Sequence, residues 1–405
     1  MEEWATYKLG EIAECSLGKM LDQRKNKGKP RTYLGNVAVR WGSFNIDPTQ
    51  TMLFEDHELE KYSLKKNDIV ICEGGEPGRC AIWKSNDTIL IQKALHRVRV
   101  NAEIADPLYV YYYITHLAKS HLLEPLFTGS TIKHLPREIL VSIEIRLPDL
   151  SKQKQISSIL ATIDDKRYTN SLINDNLEQQ AKALYKSWFV DFEPFKDGDF
   201  IESEIGEIPA GWSIVKFSDI SETPKKTINP QKFLDTTFCH YSLPACDNGL
   251  IPEIQTGRDI MSNKIILQNN TTLFSKLNPR IKRIWFTGEV LPNSICSTEF
   301  IPFRAKYDTE SSYIFSIVNS DAFYATVMGC VNGATGSHQR FHAEDTEDFL
   351  CPYNKDVVNE FSKLVEPILS QMHDLRHENV MLASTRDALL PKLMSGELKI
   401  NEIDC

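Results

Sequence analysis

The sequence predicts an α+β protein: two pseudo-repeated mixed α/β domains separated by two long antiparallel coiled-coil helices. Three observations carry that expectation. The chain has 405 residues, more than a single hydrophobic core usually serves. Blocks of sequence recur in order at a nearly constant offset. Two stretches, each directly after a recurring block, carry apolar residues at spacings of three and four.

The repeat begins with Trp4, Lys8, Leu9, Glu11 and Ile12, answered by Trp212, Lys216, Phe217, Asp219 and Ile220. Tyr109–Val110–Tyr111 is answered by Tyr313–Ile314–Phe315. Gly129, Thr131 and His134 are answered by Gly333, Thr335 and His338, and Pro148 by Pro352. The expected organisation is domain one at 1–150, a helix at 151–192 and a linker at 193–209. Domain two follows at 210–352, then a helix at 353–398 and a tail at 399–405. Asp197–Gly198–Asp199 and Ile208–Pro209–Ala210–Gly211 are the turn signals of the linker.

With Ile156 as position a, the first helix places Ile163, Asn170, Leu177 and Leu184 at a. Leu160, Arg167, Asn174, Ala181 and Trp188 then fall at d. The second helix repeats the register with Phe361, Ile368, Leu375, Leu382 and Leu389 at a, and Val365, Met372, Asn379, Arg386 and Leu393 at d. Asn174 and Asn379 occupy equivalent d positions, where opposed Asn residues fix register or else sit at a solvent-facing edge. Pro367 predicts a kink or a helix start. Because one helix leads to the second domain and the other returns, the two are expected to be antiparallel. About 38 residues at 1.5 Å each span roughly 57 Å.

Composition narrows the class. With 41% hydrophobic and 25% charged residues the chain is of ordinary globular type. No membrane-spanning run and no signal peptide is evident, so a cytoplasmic location without membrane contact is expected. Nine scattered cysteines form no C-x-x-C pair and read as buried or incidental thiols. The net charge of −9 is concentrated in 151–209 and 353–405, whereas residues 1–150 are balanced. A balanced domain can still carry a basic face.

Two similar domains held apart suit a ligand with its own approximate dyad, and duplex DNA is the commonest. At Glu207–Ile208–Pro209–Ala210–Gly211–Trp212, at Ala183–Leu184–Tyr185–Lys186–Ser187–Trp188–Phe189–Val190–Asp191–Phe192 and at Leu389–Leu390–Pro391–Lys392–Leu393–Met394–Ser395–Gly396–Glu397–Leu398, the chain resembles the specificity subunits of Type I restriction-modification enzymes. The resemblance covers essentially the whole chain. It implies that 1–150 and 210–352 are target recognition domains reading a bipartite, asymmetric DNA sequence. It further implies helices that dock two methyltransferase subunits, with restriction subunits joining through those. S-adenosylmethionine, ATP and Mg would belong to the partners, with no cofactor or metal in this chain.

Candidate DNA-contacting residues follow from chemistry. Ser130, Thr131, Lys133 and His134 combine hydroxyls and cations around Gly129. Thr335, Ser337, His338, Gln339 and Arg340 take the equivalent place in domain two, where Arg340 suits guanine and Gln339 adenine. Both segments either touch DNA or merely shape a turn. The Gly-rich segment Glu73–Arg79 ends in Arg79, which either approaches DNA or pairs with Glu73 or Glu76. Arg280, Lys282 and Arg283 stand at roughly the same place in domain two, and Lys25 and Lys27 belong to a cationic run over 24–31. No nucleotide-binding loop, cofactor-binding loop or adenine-methyltransferase tetrapeptide is present; Asn278–Pro279–Arg280–Ile281 lacks the second Pro and the aromatic. The chain therefore reads as a non-catalytic recognition subunit. The competing readings are an acidic protein-interaction scaffold and a standalone DNA-modifying enzyme.

Overall fold

The computed structural model describes residues 4–22, 26–331 and 339–398. The chain divides into two compact units, one taking residues up to Lys166 together with those from Leu382 onward, the other taking Arg167–Met381. Each unit thus combines a sheet domain with part of both long helices, Leu150–Phe189 and Lys355–Ser395. Among the described residues no helix is long and apolar enough to cross a membrane.

In the first unit, strand Ala5–Lys8 pairs antiparallel with Glu144–Leu147. A single helical turn, Leu9–Ile12, follows because the Glu11 carboxylate accepts the Lys8 amide at 2.7 Å. The chain then enters a four-stranded sheet ordered Ala13–Leu17, Leu95–Val100, Ile69–Cys72, Cys80–Ile82. All four residues of Ile69–Cys72 are buried, Ile69 and Ile71 toward one core and Val70 and Cys72 toward another. That explains an apolar run without alternation. Helix Pro107–Lys119 starts cleanly, with Pro at its first position and the Asp106 carboxylate accepting the Tyr109 amide.

The second unit repeats this plan. Ser213–Lys216 pairs with Leu350–Tyr353, the Asp219 carboxylate accepts the Lys216 amide, and a four-stranded sheet runs Ser221–Glu222, Phe300–Ala305, Thr272–Ser275, Ile284–Phe286. Helix Ser311–Asn319 takes the place of Pro107–Lys119. Tyr109 and Tyr313, matched in sequence, donate their hydroxyls to the carbonyls of Arg146 and Pro352. The repeats diverge in the second sheet. It has three strands in the first unit and five in the second, where Thr237–Tyr241 and Ser294–Ser297 pair in parallel. The segment read as a linker contains a hairpin, Phe200–Ser203 with Gly206–Pro209. Its buried Ile208 joins the second unit's core, so an apolar anchor converts the turn-rich stretch into ordered structure.

The long helices run antiparallel inside each unit. In the first, Ile156 and Leu160 share a core with Leu390 and Leu393, and the Arg386 guanidinium donates to Asp164 at 2.7 Å. Asp164 also accepts from Tyr112, and Asp387 accepts from Arg386 and from Lys119. In the second unit the seam is aromatic. The Phe189 ring lies 4.6 Å from Tyr313, 5.0 Å from Phe361 and 5.5 Å from Trp212.

Two expectations need correction. Asn379 accepts from Asn170 at 3.1 Å, not from Asn174, and Asn170 also donates to Glu378 at 2.7 Å. Repeat equivalence relates 174 to 379, whereas the neighbours of antiparallel helices are fixed by packing. Pro367 does not begin a helix. The helix starts at Lys355 and continues through the proline.

Candidate nucleic-acid interface

In each unit the fold brings together two segments that are distant in sequence. In the first, Thr128 and His134 close a tight loop by reciprocal amide-to-carbonyl bonds of 2.9 Å, with Gly129 at φ +94°. That loop lies on the Gly-rich turn. His134 bridges Gly74, and the Leu135 amide donates to the Glu73 carbonyl at 2.7 Å. Behind it, buried His96 donates from Nε2 to the Leu135 carbonyl at 2.8 Å. Burial pushes the His96 pKa below the usual histidine range, so the ring stays neutral and the bond persists. In the second unit, Leu277 bridges Arg340 and the Asn278 amide donates to the Gln339 carbonyl at 2.9 Å. The same pair of loops therefore meets in both units, with different side chains.

Gly74 lies close under the exposed His134 ring, since a Cβ there would stand 2.9 Å from Nδ1 and 3.1 Å from Cε1. Gly74→Ala is expected to turn the His134 ring aside at a cost below about 1 kcal/mol. A His134 ring resonance unshifted from wild type would mean that the two loops are not seated on each other.

The candidate side chains fall into two groups. Ser130, Thr131, Lys133 and His134 are exposed, as are Lys27 and Arg280. Lys133, Lys27 and Arg280 have no acidic partner among the described residues. The other cations are engaged. Arg79 donates to Glu76 at 2.7 Å and to the Asn36 carbonyl at 3.1 Å, with its side chain 14% exposed. Arg283 holds Asp247 through two bonds of 2.6 and 2.9 Å, a pairing that raises its pKa. Arg340 holds Glu299 through two bonds of 3.1 Å. Lys282 turns inward, donating to the Asn319 carbonyl at 2.7 Å beside the Tyr324 ring. Burial, with Lys182 nearby, holds its pKa below the usual lysine range. Gln339 is half-buried, and its side-chain carbonyl has no hydrogen-bond partner among the described residues. Lys25, Thr335, Ser337 and His338 lie outside the described residues.

Sequence reasoning missed the partners that decide which cations are available: Asn36, Trp41, Asp247 and Glu299. Each comes from a segment more than 30 residues away and carried no local signal. Asp164 is tied to Tyr112 and Arg386, and exposed Asp165 to Lys84. The eight described cysteines are unpaired, and burial pushes thiols such as Cys80 up to about 12, which keeps them protonated.

Comparison with known proteins agrees with this architecture. Residues 1–179 match the family described as the Type I restriction modification DNA specificity domain. The chain is 26% identical over 309 residues to the MjaIX Type I restriction enzyme specificity subunit of Methanocaldococcus jannaschii, spanning 73% of this chain and 70% of that one. It is 22% identical to the HindI specificity subunit of Haemophilus influenzae over 98% of this chain and all of that one. The crystal structure of a Type I restriction-modification S subunit from M. genitalium superposes with a TM-score of 0.56 over 96% of each chain at 14% identity, which shows a shared fold. By repeat, by fold and by sequence similarity along its length, the chain is similar to the specificity subunits of Type I restriction-modification systems.

Proposed function

We propose that the chain reads a bipartite, asymmetric duplex-DNA sequence, one half through each unit, for a cytoplasmic Type I restriction-modification complex. The observation that carries this reading is that corresponding pairs of segments meet in both units with different side chains. The first unit offers Ser130, Thr131, Lys133 and His134; the second offers Gln339 and Arg280, with Arg340 near at hand. A common frame with unlike side chains suits two unlike half-sites. Thr335, Ser337 and His338, and the cationic run containing Lys25 and Lys27, extend the same proposal. Exposed Lys133, Lys27 and Arg280 suit phosphates, which supply affinity without sequence information. Arg79, Lys282, Arg283 and Arg340 reach DNA only by exchanging the partners they hold.

In this reading the long helices dock two methyltransferase subunits, and restriction subunits join through them. S-adenosylmethionine, ATP and Mg act in those partners. The chain itself performs no chemistry: Asn278–Pro279–Arg280–Ile281 is a turn bonded to Gln339, and methyl transfer by the chain alone is expected to be absent.

The test is a methylation map of DNA from cells expressing the chain with its methyltransferase subunit, against cells lacking the chain. A split, asymmetric adenine-methylated motif that depends on the chain is expected. No chain-dependent motif, with partner binding intact, would favour the scaffold reading that the net charge of −9 allows.

A further inference from the structure

In the first unit, a groove beside the paired loops is lined by Trp41, Gly75, Glu76, Pro77, Thr131 and Lys133. Two carboxylates line it, Glu124, which is exposed and paired with His121, and Glu76. Glu76 is half exposed, yet both its oxygens are held. The Trp41 indole Nε1 donates to Oε1 at 2.8 Å, and Arg79 Nη1 donates to Oε2 at 2.7 Å. The holders are themselves fixed. Arg79 donates its second amino group to the Asn36 carbonyl, and Asn36 Nδ2 donates to the Gly74 carbonyl at 2.9 Å. Gly75, at φ +75°, lets the turn pass so close to Asn36 that a Cβ there would stand 2.7 Å from Nδ2. A chain of bonds therefore runs from the backbone of the Gly-rich turn to a carboxylate aimed into the groove.

A surface ion pair contributes little to stability, so stability is a weak account of this arrangement. A fixed carboxylate on a DNA-facing surface also repels phosphate, a cost that only a specific donor can offset. Each Glu76 oxygen accepts one hydrogen bond within the protein and keeps a lone pair. In the major groove, guanine presents only acceptors at N7 and O6, and thymine an acceptor at O4. Adenine sets its N6 donor beside the N7 acceptor, which repels a second carboxylate oxygen. Cytosine N4 is an amino donor with an acceptor, the paired guanine O6, on one side only, whereas adenine N6 is flanked by acceptors on both. Lys133, exposed in the same groove, suits the adjoining phosphate.

We propose that Glu76 is a specificity-determining residue of the first unit, accepting a hydrogen bond from the exocyclic amino group of a cytosine in the major groove. Trp41 and Arg79 are positioning residues: they orient the carboxylate and do not read the base. The inference rests on the reading of the chain as a DNA-recognition subunit.

The experiment uses the full chain with its methyltransferase subunit and maps methylation for wild type, Glu76→Gln and Trp41→Phe. Wild type is expected to require cytosine at one position of one half-site. Gln retains the shape but adds an amide donor that matches adenine N7, so Glu76→Gln should lower the preference for cytosine by about tenfold or more. Adenine should be newly tolerated at that position alone. Trp41→Phe, which keeps the carboxylate and loses one donor, should weaken the same preference less, and it serves if Glu76→Gln yields no complex. The other half-site should be unchanged in both variants. A wild-type motif with no cytosine in either half, an unchanged motif in both variants, or a uniform loss at all positions would overturn the assignment while leaving the recognition function standing. Absence of any chain-dependent motif in wild type would overturn both.

Discussion

Exchanging residues 210–352 for the corresponding segment of a similar specificity subunit is expected to replace one half of the methylated sequence entirely and to leave the other half unaltered. The structure adds a condition. The exchange boundaries cut through the aromatic seam of the second unit, with Trp212 and Tyr313 on the exchanged side and Tyr185, Phe189 and Phe361 on the retained helices. A donor segment that keeps aromatic residues at 212 and 313 should give a soluble, active chimera. One lacking both should lose methylation, because large rings in a dense core cannot be removed without leaving cavities. The readout is the methylation motif of the chimera beside those of both parents. A chimera that alters both halves, or neither, would refute one-unit, one-half recognition.

Phe189→Ala should be the most damaging single substitution in the second unit, costing about 3–5 kcal/mol. Phe189 is 2% exposed and touches Tyr185, Trp212, Tyr313 and Phe361, rings contributed by both long helices and by the sheet domain. No neighbour can collapse into the space, since each is pinned by others; Tyr313 is held by the Pro352 carbonyl. The measurement is the denaturant midpoint, compared with Phe189→Leu, which refills part of the volume and should lose markedly less. Equal losses for the two variants would show that ring contacts are not what binds the helices to the domain.

The sequence made the repeat legible because the matched residues perform the same local task twice. Glu11 and Asp219 cap the same turn, and Tyr109 and Tyr313 tie the same ribbon. The long helices were legible from their spacing, but their register was not. Asn170 meets Asn379 through the packing of antiparallel neighbours, which the repeat offset does not encode. The hairpin over Phe200–Pro209 hid behind Asp and Gly residues that ordinarily mark linkers. At the candidate interface, spacing found both loops yet could not tell a free cation from a committed one. Lys133 and Arg79 look equally available as letters. Pairing with Glu76 was one of two readings open for Arg79; only the fold delivers the Asn36 carbonyl to it, and Asp247 to Arg283 across 36 positions. Ion pairing between distant segments is a tertiary event with no periodic trace.

The contrast between the two helix seams has a consequence for the order in which the protein comes apart. In the first unit the seam includes a partly buried chain of charges, Lys119, Asp387, Arg386 and Asp164, ending on the Tyr112 hydroxyl. Counter-ions weaken such a chain to the extent that solvent reaches it. In the second unit the same level of the seam is aromatic and apolar, and salting-out anions strengthen apolar contacts. The first seam has apolar contacts of its own, Ile156 and Leu160 with Leu390 and Leu393, so sulfate should strengthen both seams, with screening of the exposed charges offsetting part of the gain in the first. Backbone amides of Val358–Met372 should therefore gain more protection than those of Leu382–Ser395. Salt would then tighten the two seams unequally.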